Sequence, residues 1–150
     1  MILIAHRGNI NGRFESLENE PTYIDLAIEK GYDVEIDIWY KDNTIWLGHD
    51  EPIYPIDVFW LFERKSKLWI HCKNVEAIVF LQECKCKFNY FWHQEDTLTL
   101  TSQNYIWVYP KKQPILNSIS VMPELNNDDI SQCLGICSDY IEKYKNENNL

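Results

Sequence analysis

Apolar runs alternate with short polar clusters along this chain, and the period of the apolar positions changes from run to run. Residues 2–5 are apolar without alternation, as in a strand buried on both faces of a sheet. Gly8 breaks the run after His6-Arg7, and residues 9–14 contain Asn-Gly and read as a loop. Glu18-Asn19-Glu20-Pro21 marks a helix start, with Pro21 in the first turn. Tyr23, Ile24, Ala27 and Ile28 form its apolar stripe, and Lys30-Gly31 ends it. Residues 34–39 are the next strand. Glu35 and Asp37 share one face of it, about 7 Å apart, while Val34, Ile36 and Ile38 take the other. Strand, helix, strand in close succession predicts a βαβ unit with parallel strands and a right-handed crossover.

Lys41-Asp42-Asn43 is a turn, and residues 44–47 pair back as a hairpin strand that delivers His49 to the end holding Glu35 and Asp37. Residues 55–64 read as an apolar helix and residues 67–71 as a third core strand. Asn74 caps a helix with Val75, Ile78, Val79 and Leu81 on its apolar face. Further strands are predicted at 88–92, 105–109, 118–122 and 135–139, with a short helix starting at Asp128-Asp129. The polar tail after Tyr144 is expected to fray.

Polar residues recur just after the apolar runs: His6-Arg7, Glu35/Asp37, His71/Lys73, His93/Glu95, Glu124 and Asp139. Alternating strands and helices with chemistry at the strand ends predict a parallel sheet closed into a barrel, its site on the carboxyl face. A full (β/α)8 barrel takes ~250 residues. At 150 residues, the expectation is a single domain over 1–150, a compact, trimmed TIM-like (β/α) barrel with helices missing or shortened in its second half.

Composition narrows the partners. The apolar share of 45% and aromatic share of 14% suit a packed core. The net charge of −9 argues against nucleic acid or an anionic membrane as the main partner. A small anionic substrate stays open, because local charge outweighs the global field at short range. Five cysteines lack zinc-ribbon spacing and read as free thiols in a reducing compartment. The N-terminal apolar run is too short for a signal h-region, and no run reaches the ~20 apolar residues of a membrane helix. The expectation is a soluble, cytoplasmic protein with no stable membrane insertion. Apolar flank left bare by missing helices predicts a homodimer.

The candidate chemistry lies in the charged positions. Two carboxylates side by side on a strand of a covered sheet repel each other and are costly to bury without a cation between them. With two histidines and an arginine at neighbouring strand ends, Glu35 and Asp37 point to a metal site that handles an anion. A phosphodiester fits, since its cleavage needs charge neutralisation, an activated nucleophile and a protonated leaving group.

Four motifs carry a resemblance. Ile4-Ala5-His6-Arg7-Gly8, Glu18-Asn19, Gly31-Tyr32-Asp33-Val34-Glu35-Ile36-Asp37-Ile38 and Gly48-His49-Asp50 occur in this order. They resemble the His-Arg-Gly, Glu-Asn, Gly-x-Asp-x-x-Glu-x-Asp and His-Asp pattern of the glycerophosphodiester phosphodiesterase family, whose barrel is of the TIM type. The likeness is tight over roughly the first 50 residues. Later, Ile70-His71-Cys72-Lys73 falls where the family has Glu-x-Lys, and Gly135-Ile136-Cys137-Ser138-Asp139 resembles its terminal strand.

The resemblance implies that His6 and His49 are general acid and base and that Arg7 holds the phosphate. It implies that Glu35 and Asp37 bind a divalent metal and that Lys73 reaches the phosphodiester. His71 stands where the family has a third acidic metal ligand. His93 is a further candidate for lining the substrate pocket. The metal would be magnesium or calcium, with manganese or zinc as alternatives because an imidazole suits them better. The expected function is hydrolysis of a glycerophosphodiester or a similar small alcohol- or sugar-phosphate diester. The alternatives are a catalytically altered protein that binds a phosphorylated ligand, and a lyase that forms a cyclic phosphate.

Overall fold

A computed structural model describes residues 1–147. The elements run β1 (Ile2–His6), α1 (Pro21–Glu29), β2 (Asp33–Lys41), β3 (Thr44–Leu47), β4 (Tyr54–Ile56), α2 (Val58–Arg64), β5 (Leu68–Cys72) and α3 (Val75–Glu83). They continue with β6 (Asn89–Trp92), β7 (Leu98–Leu100), β8 (Ile106–Val108), β9 (Ser118–Val121), a 3-10 turn at Pro123–Leu125, β10 (Gly135–Ser138) and α4 (Ile141–Glu147). Glu20, Asp57 and Asn74 cap the first three helices, each accepting a backbone N–H from the first turn.

The ten strands form one curled sheet. Parallel ladders join β6, β5, β2, β1, β10, β9 and β8 in that order. Antiparallel pairing adds β7 to β8, and the β3–β4 hairpin to β2. Strand β2 changes partner along its length, pairing through residues 33–35 with β1 and through 38–41 with β3.

Alternation along the strands divides the core into two layers. Ala5, Val34, Ile36, Ile38 and Ile70 face the helices and pack with Ile24, Ala27, Leu61 and Leu81. Ile4, Trp69, Phe91, Trp107, Ile119, Val121 and Cys137 fill the concave face. There Trp107 lies 4.8 Å from Phe91 and 5.7 Å from Trp69, ring centre to ring centre. Aromatic packing of this kind adds to the area that each ring buries.

The fold differs from the expected TIM-like barrel. It is a curled half-barrel of mixed parallel and antiparallel strands with four α-helices among the described residues. Among the described residues no ladder joins β6 to β8. The edge of β6 is instead covered by the segment at 99–102, where Thr99 Oγ1 donates to the Trp92 carbonyl and Ser102 N to that of Tyr90. Large rings fill the concave side, so the two ends of the sheet meet through side chains. The physical cause is the chain between α3 and β10, which is spent on a hairpin and turns rather than on crossover helices.

Smaller expectations also fail. Residues 54–56 pair with β3, so the helix placed at 55–64 starts only after Asp57. No helix starts at Asp128-Asp129; Asp128 N–H instead closes on the Pro123 carbonyl behind the 3-10 turn. The tail expected to fray after Tyr144 is helical to Glu147, anchored by the buried side chains of Ile141 and Tyr144, and its last three residues lie outside the described ones.

Candidate functional site

The carboxyl ends of the central strands carry the polar side chains. His6 ends β1 and sits in register with Glu35 on β2. Asp37, two residues further on β2, lies opposite His71 on β5. Asp139 follows β10, and His93 follows β6. Arg7 takes a left-handed backbone (φ 53°), which turns the chain off β1 and aims its guanidinium back over β2. Gly48 (φ 148°) permits the turn that brings His49 in, since a Cβ there would meet the Glu51 carbonyl oxygen at 2.0 Å.

Glu35, Asp37 and His71 offer ligand atoms that all lie within 4.8 Å of one another. His71 Nδ1 is 3.0 Å from Asp37 Oδ1 and 4.0 Å from Glu35 Oε1. Its Nε2 lies 3.3 Å from the His93 carbonyl oxygen. A carbonyl only accepts, so Nε2 carries the proton and Nδ1 turns toward the two acids. A bare lone pair facing two carboxylates is unfavourable, so Nδ1 there needs either a second proton or a bound cation. Carbonyl-oriented histidine is the usual outer-shell arrangement of a metal ligand. Glu35 Oε2 is buried and makes no hydrogen bond within the protein, and Asp37 Oδ1 is buried against His71 Nδ1. The residues present therefore fit a divalent cation.

The charges around the two acids are unequal. Burial alone would raise the Asp37 pKa, but His71, Arg7 and Lys73 outweigh it and hold this carboxyl well below its usual range. Arg7 Nε is 3.0 Å from Asp37 Oδ2, and Lys73 Nζ is 3.7 Å from Oδ1. Asn19 grips the same residue from both sides, donating Nδ2 to Oδ2 and accepting the Asp37 backbone N–H. Glu35 has no such grip. Burial, and then the charge of Asp37, push its pKa up.

A second network holds His6. Its Nδ1 donates to Asp139 Oδ1 at 2.8 Å, leaving Nε2 facing Glu35 Oε2 at 3.9 Å. Burial lowers the His6 pKa, yet the Asp139 hydrogen bond and the Glu35 charge more than offset that, and the net shift is upward. Asn9, fully buried, donates Nδ2 to both Asp139 and Glu18. Glu18 in turn accepts from Arg7 at 3.0 Å and from Arg13 at 3.0 Å.

His6, Arg7, Glu35, His49 and His71 line one cavity of about 170 Å³, whose far wall is Phe91, His93, Trp107, Tyr109 and Val121. His49 sits at the more open side, its Nδ1 2.8 Å from Asp50 Oδ1, and burial lowers its pKa. The imidazole of His93 stacks on Tyr109 at 3.5 Å between centres, and burial followed by the nearby His71 lowers its pKa to about 4. Its backbone carbonyl is what holds His71 Nε2. Lys73 pairs with Asp37, adding a counter-charge beside the acids.

The sequence thus pointed to His6, Arg7, Glu35, Asp37, His49, His71, Lys73 and His93, which the fold brings together. It placed Asp139 only among the strand-end polar residues and Glu18-Asn19 only in the second motif and a helix start, with no partner for any of them, and it assigned no role to Asn9 or Tyr109. No protein-family model, curated protein or solved structure matches this chain. Among the described residues no helix is long and apolar enough to cross a membrane.

Proposed function

We propose that this protein is a metal-dependent phosphodiester hydrolase acting on a glycerophosphodiester or a similarly small alcohol- or sugar-phosphate diester. The carrying observation is one cavity lined by two differently held histidines, an arginine, and Glu35 and His71, which cluster with the buried Asp37 behind them. A divalent cation held by Glu35, Asp37 and His71 would supply charge neutralisation at the phosphoryl oxygens. Two hard oxygen donors and one imidazole suit manganese or zinc as well as magnesium, and suit calcium less.

Each remaining role falls to a residue of the chain. Arg7 binds a non-bridging phosphate oxygen. His6, kept protonated by Asp139, gives its Nε2 proton to the departing alkoxide. His49, with its lowered pKa, takes the proton of the attacking water as the new P–O bond forms. Environments that push two such groups in opposite directions are the usual basis for dividing acid and base work. The products are an alcohol and a phosphomonoester. In the test, purified protein is incubated with glycerophosphodiesters and each of these metals, and products are followed by phosphorus NMR. Inorganic-metal-dependent monoester formation that His6→Ala abolishes is the expected result; no cleavage with any metal rejects the reading. A cyclic phosphate product would make the protein a lyase instead.

One observation favours a second reading. Arg7, Lys73, His71 and Asn19 already compensate Asp37 within the protein. A protein so balanced would bind a phosphorylated ligand through Arg7 with little turnover. Calorimetric titration separates the two, since this reading requires phosphate binding that is indifferent to metal.

A further inference from the structure

The carboxylate that orients His6 is itself held. Asp139 Oδ1 accepts the His6 Nδ1–H and an Asn9 N–H, each at 2.8 Å, and the Asp139 carbonyl accepts the Gly12 N–H. Its two neighbours are tied together across it, because Ser138 Oγ accepts the Tyr140 N–H at 2.9 Å. A serine that bonds the N–H two residues on makes a local turn. Asp139 is the middle residue of that turn.

The turn is fastened from the helix side of the sheet. Side chains alternate along β10: Cys137 lies in the concave layer, so Ser138 faces the other way with Ile136. There Ser138, fully buried, donates to Glu124 Oε1 at 2.7 Å, and Glu124 Oε2 accepts the Tyr144 hydroxyl at 3.1 Å. Glu124 stands in the 3-10 turn after β9, entered through the left-handed backbone of Met122 (φ 48°). Tyr144 stands on α4 and is 6% exposed. A carboxylate offers acceptor oxygens only, so both hydroxyls must donate to it. The one proton of Ser138 is thereby committed, and its lone pairs are left for the Tyr140 N–H.

We propose that Glu124, Ser138 and Tyr144 are positioning residues that fix Asp139 and, through it, the ring of His6, which makes α4 part of the frame of the candidate site. Each side-chain link in this chain is a hydrogen bond of 3.1 Å or less. The rival account is that the same bonds only staple α4 to the sheet, with His6 keeping its place without them. Calling His6 an acid rests on the hydrolase reading; the placement of its ring does not.

The test is hydrogen exchange at the His6 Nδ1–H, followed by proton–nitrogen NMR on the whole, metal-free, nitrogen-labelled chain. A ring bonded to Asp139 through Nδ1 keeps this proton in both of its charge states, so the signal reads position rather than titration. Exchange is expected to quicken at least about threefold in Tyr144→Phe and about tenfold in Ser138→Ala, the effect of one and of two lost hydrogen bonds. Asp139→Ala sets the fully released limit. The backbone amides of Ile4 and Ile36, measured in the same samples, report global opening, and their rates should change less than that of His6. The proposal is overturned by an unchanged His6 rate in Tyr144→Phe, or by His6 and core-amide rates that rise in equal proportion. Should Ser138→Ala not fold, Tyr144→Phe decides. With glycerophosphocholine and manganese, Tyr144→Phe should lower kcat and leave KM unchanged; a changed KM at unchanged kcat would also overturn the proposal. Absence of cleavage by the wild-type protein rejects the hydrolase reading alone, because the exchange rates are measured without turnover.

Discussion

His71 Nδ1 faces Asp37 Oδ1 at 3.0 Å while its Nε2 is fixed by the His93 carbonyl at 3.3 Å. The strand register sets this relationship, since Asp37 and His71 are direct partners in the β2–β5 ladder. One ring nitrogen is thereby committed to an acceptor, and the other is presented to two buried acids. A cation held at this site would draw its imidazole ligand from that commitment.

Manganese or zinc binding is expected to depend on this geometry. His71→Ala should weaken metal affinity by at least ~10-fold, as losses around metal ligands do, measured by isothermal titration calorimetry. Metal at ~100 times its dissociation constant should stabilise the wild-type fold by about 2.7 kcal/mol, and a chelator should remove that increment. A wild-type melting temperature unmoved by any divalent cation would contradict the site.

His6 and Asp139 act as a pair. His6→Ala should lower kcat by roughly 10²–10⁴, the usual worth of a positioned acid. Asp139→Asn should lower it less, because the imidazole stays in place. Its signature is the pH profile: without the Asp139 charge the His6 pKa falls, so the alkaline limb moves to lower pH. An unchanged alkaline limb would mean that Asp139 only fills space.

If the protein is the proposed hydrolase, the pH dependence of cleavage should be bell-shaped. His6 is raised above its ordinary 6.5 and must be protonated, so activity is lost as pH rises through its shifted value. His49 is lowered below 6.5 and must be neutral, so activity is lost as pH falls through its own. The maximum therefore lies between the two shifted values, which flank 6.5. A rate that climbs steadily with pH would reverse the assignment of acid and base.

Asn9 should matter to stability more than to chemistry. It is fully buried, donates to Glu18 and Asp139, and accepts the Phe14 backbone N–H. Asn9→Ala strands those partners, and the expected cost is about 2–4 kcal/mol in urea denaturation. A loss under ~0.5 kcal/mol would mean that the network tolerates a gap.

What the sequence settled by itself was local. The unbroken apolar runs at residues 2–5 and 68–70 mark buried strands, because only a strand covered on both faces needs no polar alternation. Asn74 and Glu20 mark helix starts, because an oxygen at the N-cap meets an otherwise unbonded N–H. Glu35 and Asp37 are legible as neighbours on one face because strand side chains alternate.

The tertiary structure decided what depends on distant pairing. Residues 98–100 could have been loop, but Val108 and Ile106 across the hairpin make them a strand. Ile141 and Tyr144 find a buried surface beside β1 and turn a polar tail into a helix. Closure of the sheet is global too: whether ten strands form a barrel depends on whether the last edges meet, and here aromatic side chains lie between them. The same holds for the site. Asp139 is 133 positions from His6, and only the pairing of β1 with β10 brings that carboxylate to the imidazole it orients.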